Sequence, residues 1–293
     1  MNTLKPILIT LLSLSLFLAL PGCSKSPAPP TLSLSEADQK FTDILQNEFH
    51  YKPIVRPLGK TLWVYMPGER EIFKYKATES TEQSPQKKFA IEYLDGKFED
   101  NRFVIDYDII PAIKASNNNG LSSSFTDEFN KEYQNSLGAI KNSYLDIKIA
   151  PDFIGIIFAD VKNGLAMTNI FSLDDFKQNQ ASALSNEEYL LRTITETKGN
   201  KTIIDDWEGK KFDFKEITWP DFLTKQIINR INFKYQRSDF PPQEDATKEI
   251  AKLISITTKY YHFTDFISAK INNLRDNKEQ SFSQWDIRNL SDH

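Results

Sequence analysis

An α+β fold, with a mainly antiparallel sheet packed with several amphipathic helices, is what this sequence predicts. Two periodicities predict it. Residues 53–110 and 153–171 alternate apolar and polar side chains, or run apolar between turn signals, as strands do. Elsewhere apolar residues recur every three or four positions, the period of a helix with one buried face. The strands fall into an N-terminal meander and a central hairpin, and the helices lie before, between and after them.

Taken in order, Ser33 and Ser35 each stand three residues before an acid, Glu36 and Asp38, which is capping-box spacing. Ala37, Phe41, Ile44, Leu45 and Phe49 then recur at helical period, so a helix starts there. Thr61–Met66 (TLWVYM) is strand-like by composition, with Pro67-Gly68 as a turn. From Glu71 to Lys76 the chain alternates, with Phe73 and Tyr75 on one face. Phe89, Ile91 and Tyr93 share a face of the next strand. Asp95-Gly96 gives a hairpin signal before Phe103, Ile105, Tyr107 and Ile109. Residues 53–110 are therefore expected to form one antiparallel meander, with 78–88 as its polar loop.

Thr126 caps a helix striped by Phe129, Tyr133, Leu137, Ile140 and Tyr144. Residues 153–161 and 165–171 flank Lys162-Asn163-Gly164, the clearest hairpin in the chain. Its first arm is almost continuously apolar, as a strand covered on both faces must be. Residues 172–198 read as one or two helices ending at Gly199. Thr218 then caps a helix with Pro220 in its first turn, where a missing N–H costs nothing. Its stripe is Trp219, Leu223, Ile227, Ile231 and Tyr235, and Pro241-Pro242 breaks it. A helix over 243–261 and a strand over 266–272 follow.

Composition excludes several function classes. With 36 basic and 40 acidic residues the net charge is −4, which argues against nucleic acid or anionic lipid as the main partner. Twenty-one phenylalanines suffice for a proper core, and a single cysteine leaves no intramolecular disulfide. The three histidines, His50, His262 and His293, have no metal-site spacing, and no HExxH segment exists. GxSxG, GxGxxG and Walker motifs are absent, so no metal or cofactor site is expected. Asp205-Asp206-Trp207-Glu208-Gly209 lacks the alternation of a calcium loop and reads as a solvated turn. His50 and His262 read as helix ends. A pair of carboxylates distant in sequence, as glycoside cleavage uses, stays open.

Two segments and one tail residue carry binding-type side chains. Trp63 and Tyr65 share a strand face, either as core or as an exposed aromatic strip for peptide or glycan. Residues 232–242 mix aromatics and cations, including Tyr235 and Arg237, in the manner of interfaces or of a helix end packing inward. Trp285 lies in the C-terminal tail.

The N-terminus gives an address. Lys5 precedes a mostly apolar run from Ile7 to Leu20, too short for a comfortable bilayer span, and Leu20-Pro21-Gly22 leads to Cys23. These residues resemble a bacterial lipoprotein signal with its lipobox. The resemblance implies cleavage between Gly22 and Cys23 by the lipoprotein processing machinery. It also implies acylation of the Cys23 thiol and of the new amino group. Ser24 stands where an aspartate would resemble an inner-membrane retention signal, which favours the outer membrane, facing the periplasm, in a two-membrane cell. Several acyl chains anchor stably where one binds marginally.

Removing residues 1–22 from the 293 leaves 271 and takes Lys5 with it, so the net charge becomes −5. Residues 23–35, rich in Ser and Pro, form a tether of roughly 30 Å after the lipidated cysteine. Residues 36–274 make the globular domain, divisible near 115/116 into two parts, and 275–293 a polar tail. The expected function is that of a lipid-anchored, non-enzymatic envelope protein that binds a protein partner for assembly or scaffolding. The alternative is an anchored hydrolase acting on peptidoglycan or glycan.

Overall fold

A computed structural model describes residues 32–77, 89–111, 121–147, 149–236 and 245–290. In chain order the elements are α1 (Leu34–Asp43), β1 (Ile54–Leu58), β2 (Thr61–Gly68), β3 (Phe73–Ala77), β4 (Phe89–Glu99), β5 (Arg102–Pro111) and β6 (Leu121–Phe125). They continue with α2 (Asp127–Tyr144), β7 (Phe153–Asp160), β8 (Leu165–Ser172), α3 (Leu173–Gln180), α4 (Asn186–Arg192) and β9 (Ile194–Gly199). Last come α5 (Trp219–Gln236), α6 (Ala246–Tyr260), β10 (Ser268–Asn273), β11 (Lys278–Ser283) and α7 (Gln284–Asn289). Helices packed on mainly antiparallel sheets make this an α+β fold.

The helix starts follow their caps. Ser33 accepts from Glu36 N–H while the Glu36 carboxylate accepts from Ser33 N–H, the reciprocal box that satisfies two orphan donors. Thr126 caps α2 through the N–H of Phe129 at 3.2 Å. At α5 the Thr218 hydroxyl accepts from Asp221 N–H.

The first sheet has the order β1-β2-β7-β8-β9. All eight residues of β7 are buried, which its central place and its continuous apolar run explain together. On one face Phe158 meets Phe129 of α2, ring centroids 5.2 Å apart. On the other, Phe153 packs against Trp219 and Phe222 of α5, each at 4.8 Å.

Among the described residues, helices cover one face of the second sheet, β11-β10-β5-β4. Leu223, Ile227 and Ile231 of α5, Ile250 and Ile254 of α6, and Ile287 of α7 bury Phe103, Ile105, Ala269 and Ile271. The opposite face carries Asp106, Lys270 and Asn272, where the Asn272 amide donates to Asp106 at 2.5 Å. β3 and β6 form a separate two-stranded ribbon.

This topology corrects the meander. The strands of 53–110 go to three different sheets, and each larger sheet contains one parallel pair, β2 with β7 and β5 with β10. Alternation shows that a segment has two faces but not which strand lies beside it. Asp95-Gly96 is no turn either. It runs through β4 opposite Asp106 and Ile105, and the hairpin closes at Asp100-Asn101, both with positive φ. That two-residue loop suits the right-handed twist of the flanking strands, and Asn and Asp tolerate the left-handed backbone. Pro67-Gly68 likewise extends β2. Residues 172–198 hold two helices and then β9, whose pairing with β8 overrides the helical reading.

Ser33–His293 cluster as one unit, and a cut near 115 would separate β2 from β7 and β5 from β10. Nor do residues 275–290 behave as a polar tail. They form β11 and α7, with Ser283 and Asp286 as a capping box and Ile287 fully buried. Ile287→Ala should therefore destabilise the domain by about 2–5 kcal/mol, the cost of a core cavity. Urea unfolding checks this; an unchanged midpoint would restore the tail reading.

Candidate functional site

The predicted binding residues separate cleanly. Trp63, 8% exposed, lies under the segment 206–217 and donates from Nε1 to the Lys215 carbonyl at 2.7 Å. Tyr65 is fully buried beside it and donates to the Asp206 carbonyl at 2.5 Å. These two are core, so no aromatic strip is exposed there. Tyr235 is buried against the second sheet. Arg237 lies outside the described residues, as do Gly22, Cys23 and Pro241-Pro242. Trp285 alone among the described candidates is open, at 72% exposure.

The chemistry-bearing motifs resolve into structure. Asp205, Trp207 and Glu208 are exposed as a solvated turn requires, but Asp206 within it is buried. Its carboxylate accepts from the main-chain N–H groups of Lys210 and Lys211 at 2.9 and 3.1 Å. His50 and His262 are exposed residues with positive φ, at the ends of the π-helical turn that follows α1 and of α6. Among the described residues, no three His, Cys, Asp or Glu side chains are placed to hold a metal. A surface hollow of about 420 Å³ runs along residues 36–48, but all its described lining comes from α1 and its π turn.

Two buried ionic networks escaped sequence reasoning. Arg70, after β2, donates to the carbonyls of Ala159 and Met66 at 2.9 and 3.3 Å and pairs with Glu132 of α2. Burial pushes the Glu132 carboxyl up to about 7, against the pull of Arg70. In the second network Arg192 of α4 joins Asp175 of α3 and Glu188, both at 2.8 Å. Arg230 of α5 reaches the same Glu188 at 2.6 Å, and Tyr261 donates to Asp175 at 2.5 Å.

Burial raises Asp175 despite its Tyr261 hydrogen bond and Arg192. Burial acts upward on Glu188 too, but the hydrogen bonds and charges of its two arginines hold it below the ordinary range. Arg192 also stacks over Tyr260, 4.4 Å from the ring centroid. Two cations face two carboxylates, so the network balances and ties α3, α4, α5 and the end of α6 together. The one sequence signal for it was the i,i+4 spacing of Glu188 and Arg192.

The open surface lies at the C-terminal end. Gln284 donates from its main chain to Ile267 O at 2.9 Å and from its side chain to Thr264 O at 2.5 Å. Buried Ile287 fixes the other side of α7. Trp285 is thus held outward on an anchored element, next to Gln284, whose main chain is bonded to Ile267, itself 54% exposed. Beside it runs β11, an edge strand exposed along most of its length.

The chain was compared with protein-family models, curated proteins and solved structures, and none matches. Its own geometry therefore carries the functional reading. Among the described residues no helix is long and apolar enough to cross a membrane.

Proposed function

We propose that this chain is a lipid-anchored envelope protein, held by acyl chains on Cys23, whose domain binds another protein and performs no catalysis. In a two-membrane cell it belongs to the outer membrane, facing the periplasm. The observation that supports binding is Trp285. A large aromatic kept 72% exposed on a capped helix gains nothing for the fold and has the character of an interface anchor. The two buried networks, by contrast, spend their charges on protein partners.

Two experiments test the two halves. Cys23→Ala should leave an unprocessed precursor, abolish acyl labelling and move the chain from membrane-bound to releasable; unchanged processing and labelling refutes the anchor. A photoreactive benzophenone residue at Trp285 should give a covalent protein adduct in native membranes. Irradiated samples in which the chain runs only at its own mass would remove the binding reading.

A further inference from the structure

The four edges of the two larger sheets are not alike. β1 carries Pro57, which interrupts its row of donors. β4 has a register irregularity between Ile91 and Tyr93. β9 is crossed by α5, through the Lys225–Glu196 ion pair and the Asn229 amide on Thr193 O. β11 has no proline, pairs with β10 without a shift from Ser283 to Lys278, and is exposed. It is the edge left available for pairing.

The phase of its backbone follows from its neighbour. Gln284 N–H donates to Ile267 O, and Ser283 pairs with Ser268, so the main chains of Phe282, Gln280 and Lys278 turn towards β10. Glu279 and Ser281 turn theirs outward. We propose that β11 pairs antiparallel with β11 of a second copy, about a two-fold axis through Gln280. This rests on reading the C-terminal surface as protein-binding, and it names the partner.

The strand is self-complementary in that register. Glu279 and Ser281′ (the prime marks the second copy) form a hydrogen-bonded pair, as do Ser281 and Glu279′. The outward N–H and C=O groups are thereby satisfied, and a hydroxyl is set beside each Glu279 carboxylate, which Lys270 of its own copy pairs at 2.7 Å. Gln280 meets Gln280′, and Lys278 lies opposite Phe282′, a cation against an aromatic ring. Centring on Glu279 would oppose two carboxylates. Centring on Ser281 would set Glu279 against Ser283′, whose hydroxyl already bonds Asp286. The result is one continuous sheet of eight strands carrying two lipid anchors. A strand pair buries less than the ~1,600 Å² of a standard interface. Confinement to a membrane supplies the effective concentration that it needs.

Gln280→Cys in the full-length lipidated chain tests this in membranes, where Cys23 is acylated and the new thiol is the free one. A non-hydrogen-bonded antiparallel pair has Cα atoms about 4.5 Å apart, within disulfide range. Mild oxidation should therefore give a reducible dimer. Lys278→Cys should give none, since two such positions lie about 14 Å apart in this register. Adding Ser281→Glu to Gln280→Cys opposes like charges twice and should cut the dimer about tenfold. Adding Glu279→Lys as well should restore it. A monomer from Gln280→Cys, equal crosslinking from Lys278→Cys, or no recovery in the charge-swapped variant overturns the proposal. If Gln280→Cys stays monomeric while the photoreactive residue at Trp285 captures a different protein, self-pairing fails and protein binding stands. If neither gives an adduct, both fall.

Discussion

Replacing Arg70 by methionine should cost the domain about 3–5 kcal/mol, the penalty for stranding one partner of a buried ion pair. Arg70 is the joint between β2, the end of β7 and α2. Its guanidinium serves two carbonyls, Ala159 and Met66, and the Glu132 carboxylate at once. Methionine fills some of the volume but leaves three acceptors without a donor, so urea unfolding should show a large loss of midpoint with little change in slope. A loss below about 1 kcal/mol would mean that water reaches the site and that the pair is not truly buried.

The same pair predicts a pH dependence of definite sign. Glu132 titrates at about 7 in the folded chain, above its ordinary value of 4.5, so between those values the folded state holds more protons than the unfolded one. Its contribution to stability is then greatest below pH 4.5 and is lost as pH rises through 7, by about 3 kcal/mol in all. Glu132→Gln should remove this slope, and Arg70→Met should extend it to higher pH. Identical pH profiles for wild type and Glu132→Gln would rule out Glu132 as the source.

Gly155→Val should be the most damaging single addition to the core. A Cβ at this position of β7 would sit 2.4 Å from the Trp63 ring. The ring cannot easily retreat, because its Nε1–H is fixed on Lys215 O and Phe214 stands edge-on at 5.8 Å. Overpacking of this kind costs about 1–3 kcal/mol, and a branched side chain lies at or beyond the upper end. Gly155→Ala should fall lower on the same scale. The two melting temperatures, measured with near-UV circular dichroism of the Trp63 environment, give the order; Val tolerated as well as Ala would contradict it.

Local chemistry was legible in the sequence, and distant pairing was not. Ser33, Thr126 and Thr218 stand where the helices begin, and the run from Phe153 proved to be the fully buried strand. Caps and burial patterns are written within a few residues. That Thr61 lies beside Phe153, or Phe103 beside Ala269, is not, because parallel neighbours share no turn to mark them. The same gap hid the candidate surface. Trp63, Tyr235 and Trp285 are alike as letters. Only the cover supplied by residues 206–217, by the second sheet and by nothing, respectively, tells them apart. Residues 275–293 read as a tail because Phe282 is the one apolar side chain of β11, too little to mark a strand by alternation. Asp175, Glu188, Arg192 and Arg230 met from three helices, beyond any local motif.

The two parallel pairings also set the order of events when the chain folds. β7, the most apolar strand, is complete only when residues near the N-terminus reach it. The second sheet cannot close until partners such as Asp106 and Asn272, 166 positions apart, have met. Contacts of such long range slow folding and keep hydrophobic strand surface open while the chain waits. A chain interrupted before β10 has no way to complete its second core. β7 is therefore the segment that a chaperone would have most reason to shield during synthesis.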